Sequence, residues 1–335
     1  MSKRYAQTLF SAFALSVLSI TASAQEGHDQ DKLYVLSSIK PVHSLVAMVT
    51  GDLANSEIIV KGAASPHTYA LAPAQARDIQ RADAIFWVGE DLEAFLEKPL
   101  ATIGARATLI ELMETPGLQK LKFREGGAFE KHDDHDDDDH DDDHDKHDDH
   151  DEDHDDDHGN HDYHDGFDPH IWLSPDNAKR ILAYIASALG DLDPDNKAAY
   201  IANATAAMQD IDQLTDAITD NLSPIKNGGF LLFHDSFQYF EHAFGLAASG
   251  AISIHPEVAP GARRIAEIRR LLRKRNVRCV FTEPQFDAKM VDVILQGTGK
   301  KAVEIDPLGA ALPQGDTLYF ELMQAMSTSF RKCLG

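Results

Sequence analysis

The stretch from Lys131 to Asp165 reads KHDDHDDDDHDDDHDKHDDHDEDHDDDHGNHDYHD, and it limits what this chain can fold into more than any other feature. Almost nothing in it is apolar, so it has no surface to bury, and like charges at this density repel one another. A solvated, mobile loop is expected, and the fold has to be built from the chain on either side. The run holds ten of the 17 histidines and most of the acidic excess behind a formal net charge of −24. Imidazole and carboxylate are donors for borderline divalent metals, and a short histidine-rich tract is a metal-binding composition. An acidic solubilising linker needs no histidine. His132, His135, His140, His144, His147, His150, His154, His158, His161 and His164 are therefore candidate accessory metal ligands.

The first residues carry Lys3 and Arg4, an apolar stretch from Leu9 to Ile20, and the small residues Ala22-Ser23-Ala24. This pattern predicts a secretory signal peptide over 1–24. Its apolar core is shorter than the ~20 residues that cross a bilayer, and no later segment is apolar enough to span. The mature chain is expected to be exported, without a membrane span and monomeric, and its acidity argues against nucleic acid as a partner. The two cysteines, Cys279 and Cys333, then meet an oxidising compartment, where a disulfide is expected. A pair of metal-binding thiolates is the alternative.

Leu33–Ile39, Glu57–Val60, Ala84–Val88 and Ala107–Glu111 are short apolar runs separated by helix-like stretches. Phe230–Phe233, Leu246–Ser253, Arg278–Thr282 and Ala302–Ile305 repeat the alternation beyond the acidic tract. Apolar strands alternating with helices predict α/β architecture, with parallel sheets covered on both faces. Ser174-Pro175 opens a helix that Gly190 is expected to stop. From Asp195 to Leu222 one apolar stripe runs through Tyr200, Ala204, Met208, Ile211, Leu214, Ile218 and Leu222. At 1.5 Å per residue such a helix is about 42 Å long, enough to bridge two domains. The expected layout is an N-terminal lobe over 25–192 that includes a loop at 125–165, a linker helix over 193–222, and a C-terminal lobe over 223–335.

Ligands of open α/β sheets bind outside the carboxyl ends of the strands. His67 in GAASPHTYALAP lies beyond the second apolar run, His170 in FDPHIWLSP lies where the acidic tract returns to folded chain, and His234 ends FLLF. Asp306 follows AVEI in the matching place. Any one of these histidines alone reads as a hydrogen-bonded loop or core residue. Together, three imidazoles with one carboxylate or water complete a tetrahedral zinc shell. Asp235 reads as a helix cap, with support of an imidazole as its alternative, and Glu283 as a structural hydrogen-bonding group, with steering of cations in a cleft as its alternative. His43, His242 and His255 read as structural or exposed, and Trp87 and Trp172 as packing residues, with shielding of a metal from water as an added role for Trp172, two residues from His170.

The segments GAASPHTYALAPAQARDIQRADAIFWVGEDLE, DPHIWLSP, FHDSFQYFEHAFGL, CVFTEPQF and IDPLG, with a His/Asp-rich insertion before the second, resemble the zinc-specific solute-binding proteins of bacterial ABC importers, the ZnuA family. The resemblance covers nearly the whole mature chain. It implies two α/β lobes, each on a small parallel sheet, joined by one long linker helix, with Zn²⁺ held in the cleft between them. It implies His67, His170 and His234 as ligands and a disulfide between Cys279 and Cys333. Some members carry a glutamate just before the first histidine, where this chain has Pro66, so Asp306 or a water is expected as the fourth ligand. Three neutral imidazoles suit zinc or copper, whereas manganese relatives pair two histidines with two carboxylates. The implied partners are a membrane permease and its ATPase, and no catalysis is required. A manganese-binding member of the same importer class, a periplasmic zinc buffer and a zinc hydrolase are the alternatives, and no HExxH helix motif supports the last.

Overall fold

The computed structural model describes residues 32–124, 166–225, 228–253, 260–274, 277–287 and 289–335. The leader, the acidic histidine tract and His255 lie outside the described residues. Four short strands, β1 (Tyr34–Ser37), β2 (Asn55–Ile58), β3 (Ala84–Trp87) and β4 (Thr108–Glu111), form one parallel sheet in the order β2-β1-β3-β4. Its helices are α1 (Lys40–Thr50), α2 (Pro73–Arg81) and α3 (Glu90–Thr102). A second sheet repeats the plan with β5 (Gly229–His234), β6 (Ala251–Ser253), β7 (Val277–Thr282) and β8 (Lys301–Glu304), in the order β6-β5-β7-β8 and again all parallel. In each sheet the strand order reverses between the first and third strands. That reversal opens a crevice at the carboxyl ends.

Between the sheets run α4 (Pro175–Leu192) and α5 (Lys197–Leu222), and after them come α6 (Gln238–Phe244), α7 (Ala262–Lys274), α8 (Lys289–Leu295) and α9 (Leu318–Leu334). Ser174 accepts the Asn177 amide at 3.3 Å and Pro175 takes the first helical position, as expected of this start. Gly190 does not stop α4, which continues to Leu192 and ends at Asp193, before Pro194. The glycine serves packing instead, because a Cβ there would lie 2.6 Å from Lys197 Cγ at the start of α5. With 26 residues, α5 is about 39 Å long. Its buried stripe is Tyr200, Ala204, Ala207, Ile211, Leu214, Ile218 and Leu222, so Ala207 takes the position expected for Met208. Asn203 near its start bonds the Val49 carbonyl of α1 at 3.0 Å, and Asn221 near its end bonds Ser327 of α9 at 2.6 Å. One helix thus touches both halves.

Alternation along the second sheet divides its side chains between two cores. Phe230, Leu232, Cys279 and Phe281 face a core that continues through α9 and α5 into the first sheet, while Leu231, Phe233 and Val280 face a smaller one under α7 and α8, joined by Val277 from before the register shift that breaks the alternation. Across the halves, Lys40 Nζ donates to the carbonyls of Gly309, Ala310 and Leu312 at 3.0, 2.8 and 2.8 Å. Tyr319 of α9 donates its hydroxyl to the Trp172 carbonyl at 3.0 Å, and Trp172 Nε1 donates to the Pro307 carbonyl at 2.9 Å. No helix among the described residues is long and apolar enough to cross a membrane.

Cys279 on β7 and Cys333 on α9 form a disulfide with Cα atoms 5.7 Å apart, which pins the last helix to the second sheet. It closes a loop with a sequence separation of 54. By loop-closure entropy its reduction is expected to lower stability by about 4 kcal/mol. Denaturant unfolding with and without reductant measures this, and coincident curves would contradict it.

Candidate metal centre

Three histidines reach one small cavity from three separate connections. His67 sits in the single 3₁₀ turn Pro66–Thr68 that follows the first sheet's edge strand. That connection is fixed from behind by Gln75, which accepts the Ala72 amide at 2.8 Å and donates to the Tyr69 hydroxyl at 2.7 Å, while Tyr69 packs on Phe95. His170 immediately precedes the 3₁₀ turn Ile171–Leu173 and leads into α4. His234 is the last residue of β5, at the reversal point of the second sheet. His170 and His234 are each 5 % exposed, and His67 is half-buried.

The ring centroids lie 5.6 Å (His67 to His170), 5.8 Å (His67 to His234) and 5.4 Å (His170 to His234) apart, with planes inclined by 50° to 84°. One ligand atom from each lies within 4.8 Å of the others. Zinc–nitrogen bonds are about 2.0–2.1 Å, so a small inward movement closes this triangle on an ion. The cavity holds about 10 Å³, one water-sized space, and its walls include Pro66, Trp172, Phe286, Pro307 and Leu308. Trp172 is 1 % exposed with its ring 5.3 Å from that of His170, in keeping with the packing read from sequence.

Two buried carboxylates set the orientation of two imidazoles. His170 Nδ1 donates to Asp168 Oδ1 at 2.7 Å, and the same oxygen accepts the His170 amide at 2.9 Å. His234 Nδ1 donates to Glu283 Oε1 at 2.8 Å, and its Nε2 is buried without a hydrogen-bond partner. A proton on Nδ1 fixes the tautomer and leaves Nε2 with the lone pair a metal needs. Burial, followed by the neighbouring His170 and His234, holds His67 well below the ordinary imidazole pKa, and burial followed by His234 does the same to His170. His234 moves the other way: burial lowers it, but Glu283, Asp235 and Asp168 together raise it. Burial also raises Glu283 and pushes Asp168 up to about 7. Two of the three rings are therefore neutral and ready to ligate at neutral pH. The third, raised by its carboxylate neighbours, takes up a second proton on Nε2 more readily, and a metal binding there would release it.

The group within 4.8 Å among the described residues holds the three histidines without Asp306. Asp306 Oδ1 accepts from Gln285 Nε2 at 2.8 Å and from the Leu308 amide at 3.0 Å, and its Oδ2 accepts the Ala310 amide at 2.5 Å. Those bonds shape the turn that places Pro307 and Leu308 on the cavity wall. Asp235 does not cap a helix either, since α6 begins at Gln238 and the Asp235 carboxylate pairs with Arg124. Glu283 makes the hydrogen bonds expected of it, and its partner is His234. His43 is buried in α1 with Nε2 3.5 Å from the Ser56 carbonyl, and His242 is exposed on α6. Asp168 was not singled out from sequence. Its signal is the Asp-Pro-His triplet, in which an aspartate accepts the amide two residues on.

A family model described as "Zinc-uptake complex component A periplasmic" (ZnuA) matches residues 35–333. The high-affinity zinc uptake system protein ZnuA of Brucella abortus (strain 2308) is 46 % identical over 304 residues, which cover 90 % of this chain and 91 % of that protein. The protein of the same name from Paracoccus denitrificans (strain Pd 1222) is 38 % identical over 302 residues, again covering 90 % and 91 %. A solved ZnuA crystal structure superposes with a TM-score of 0.72 at 24 % identity, covering 91 % of this chain and all of that one, a likeness of fold.

Replacing Glu283 by Gln, or Asp168 by Asn, is expected to weaken zinc binding by about 10–100-fold. Zinc titration calorimetry in buffers of different ionisation enthalpy should also register proton release for the parent chain at neutral pH, and less of it for E283Q. Zinc affinity should fall as pH drops through the raised His234 range, because protonated imidazole cannot ligate. Unchanged affinity in both variants would contradict the orienting role.

Proposed function

The chain belongs to the ZnuA family, and from that premise we propose that it captures Zn²⁺ in the periplasm through His67, His170 and His234 and hands it to a zinc ABC importer. One observation carries the residue assignment: donor atoms from both halves of the fold lie within 4.8 Å of one another around a water-sized cavity. Zinc is the cargo here, so the site has to close on it and also let it go. Ligands shared between two halves suit that task, since relative movement of the halves breaks the shell. Three neutral imidazoles favour zinc over manganese. The fourth position is filled by water, with Asp306 committed to its turn.

The same reading assigns residues 1–24 to an export signal and takes the mature chain as a monomer that docks on a permease driven by an ATPase. The lobes divide at 25–192 and 223–335, with 193–222 as the linker between them. The histidines between His132 and His164 serve as weak accessory sites next in sequence to His170, and a short tether supplies an effective concentration in the roughly millimolar range. A water-sized cavity between three imidazoles suits an ion as cargo, which favours transport over hydrolysis.

Competition titration with a zinc chelator tests the assignment. The parent chain and a form lacking 131–165 should each retain one tight site. His67→Ala should lose it by more than the roughly 100-fold typical of outer-shell changes while keeping weak binding. Tight binding that survives His67→Ala, or that disappears with 131–165, would contradict the proposal.

A further inference from the structure

Residues 119–124 and 166–168 form a polar strap that leaves the first half and lies on α6 of the second. Gln119 is anchored to α4 through Asn177, by bonds of 2.9 Å in each direction. Lys122 and Phe167 form an antiparallel bridge, supported by the Asp168 amide donating to the Leu121 carbonyl at 2.8 Å. On the far side, the Tyr239 hydroxyl accepts the Leu121 amide at 3.0 Å and donates to the Asp168 carbonyl at 2.9 Å. Gln238 Nε2 donates to the Lys122 carbonyl at 2.8 Å.

The strap ends in a half-buried ion cluster. Arg124 grips Asp235 through Nε, at 2.9 Å to Oδ2, and through Nη2. It grips Glu241 through Nη1 and Nη2 at 3.0 and 2.8 Å. The side chains of Arg124, Asp235 and Glu241 are 21 %, 17 % and 4 % exposed. Asp235 is bonded covalently to His234, and the strap carries Asp168, which orients His170. The guanidinium thus ties together the two segments that present His170 and His234.

We propose that Arg124 is a positioning residue for zinc release: its fork on Asp235 and Glu241 latches the two halves beside the metal pocket, and release requires this latch to part. The inference rests on the zinc-capture reading. Polar bonds suit a latch because they are directional and re-form in one register, whereas an apolar contact slides. Lysine cannot replace the planar fork, since its ammonium is a point charge without bidentate geometry.

The test is stopped-flow transfer of zinc from the full chain, loaded with one equivalent, to excess chelator. Apo-protein melting and the Co²⁺ absorption spectrum are recorded alongside. R124A is expected to release zinc about 10-fold faster or more, R124K to fall between it and the parent chain, and both to keep the tetrahedral Co²⁺ band. Release within roughly twofold of the parent rate in either folded variant overturns the latch. Loss of the Co²⁺ band also overturns it, because Arg124 would then be needed to build the shell. Should R124A fail to fold, E241Q loses one grip of the fork and must still speed release. A parent chain that binds no zinc tightly would sink the capture reading itself, which is a different outcome from equal release rates.

Discussion

Three imidazoles buried against one another are costly unless each is neutral and its polar atoms are satisfied, and this condition organises the molecule. Asp168 and Glu283 accept the Nδ1–H groups of His170 and His234, which leaves the Nε2 lone pairs of rings that line a water-sized cavity. Buried carboxylates would be a liability elsewhere. Here they raise one imidazole and fix two, while mutual proximity and burial keep His67 and His170 neutral. In their neutral forms the rings could take a metal without changing tautomer, and any proton held on His234 Nε2 would leave as it bound.

The fold meets that condition by using one topology twice. Both sheets run second-first-third-fourth, and His67, which follows β2, and His234, which ends β5, line one cavity. In the second sheet, β5 and β7 are neighbours, so His234 at the end of one and Glu283 just past the other are brought side by side. The long helix α5, Lys40 and Trp172 then hold the two halves close enough for histidines far apart in sequence to meet. Arg124 adds a polar tie at the same cleft, next to the residues that carry the ligands.

Much of this was legible in the residues. The eight apolar runs match the eight strands to within two residues at either end, except that the run from Leu246 shortens to Ala251–Ser253 because Gly245 first closes α6. His67, His170 and His234 stood out because each follows a strand or enters a helix on a connection. Partnerships across the chain were less visible. Asp235 read as a cap because a helix follows it, yet its charge is claimed by Arg124, 111 residues away. Asp306 occupies a ligand's place in the topology, but local amides claim its oxygens. Gly190 looked like a stop and is a contact, since sequence does not show that α5 doubles back against it. Strand pattern is a local property, whereas the satisfaction of a carboxylate is settled by whatever the fold brings to it.

The central claim is that one zinc ion sits between three imidazoles supplied by both halves. Anomalous diffraction at the zinc edge, on crystals of the full chain loaded with one equivalent, tests it directly. The strongest peak should lie within bonding distance of one nitrogen each from His67, His170 and His234. A strongest peak elsewhere, or one that touches fewer than three of these rings, would contradict the account.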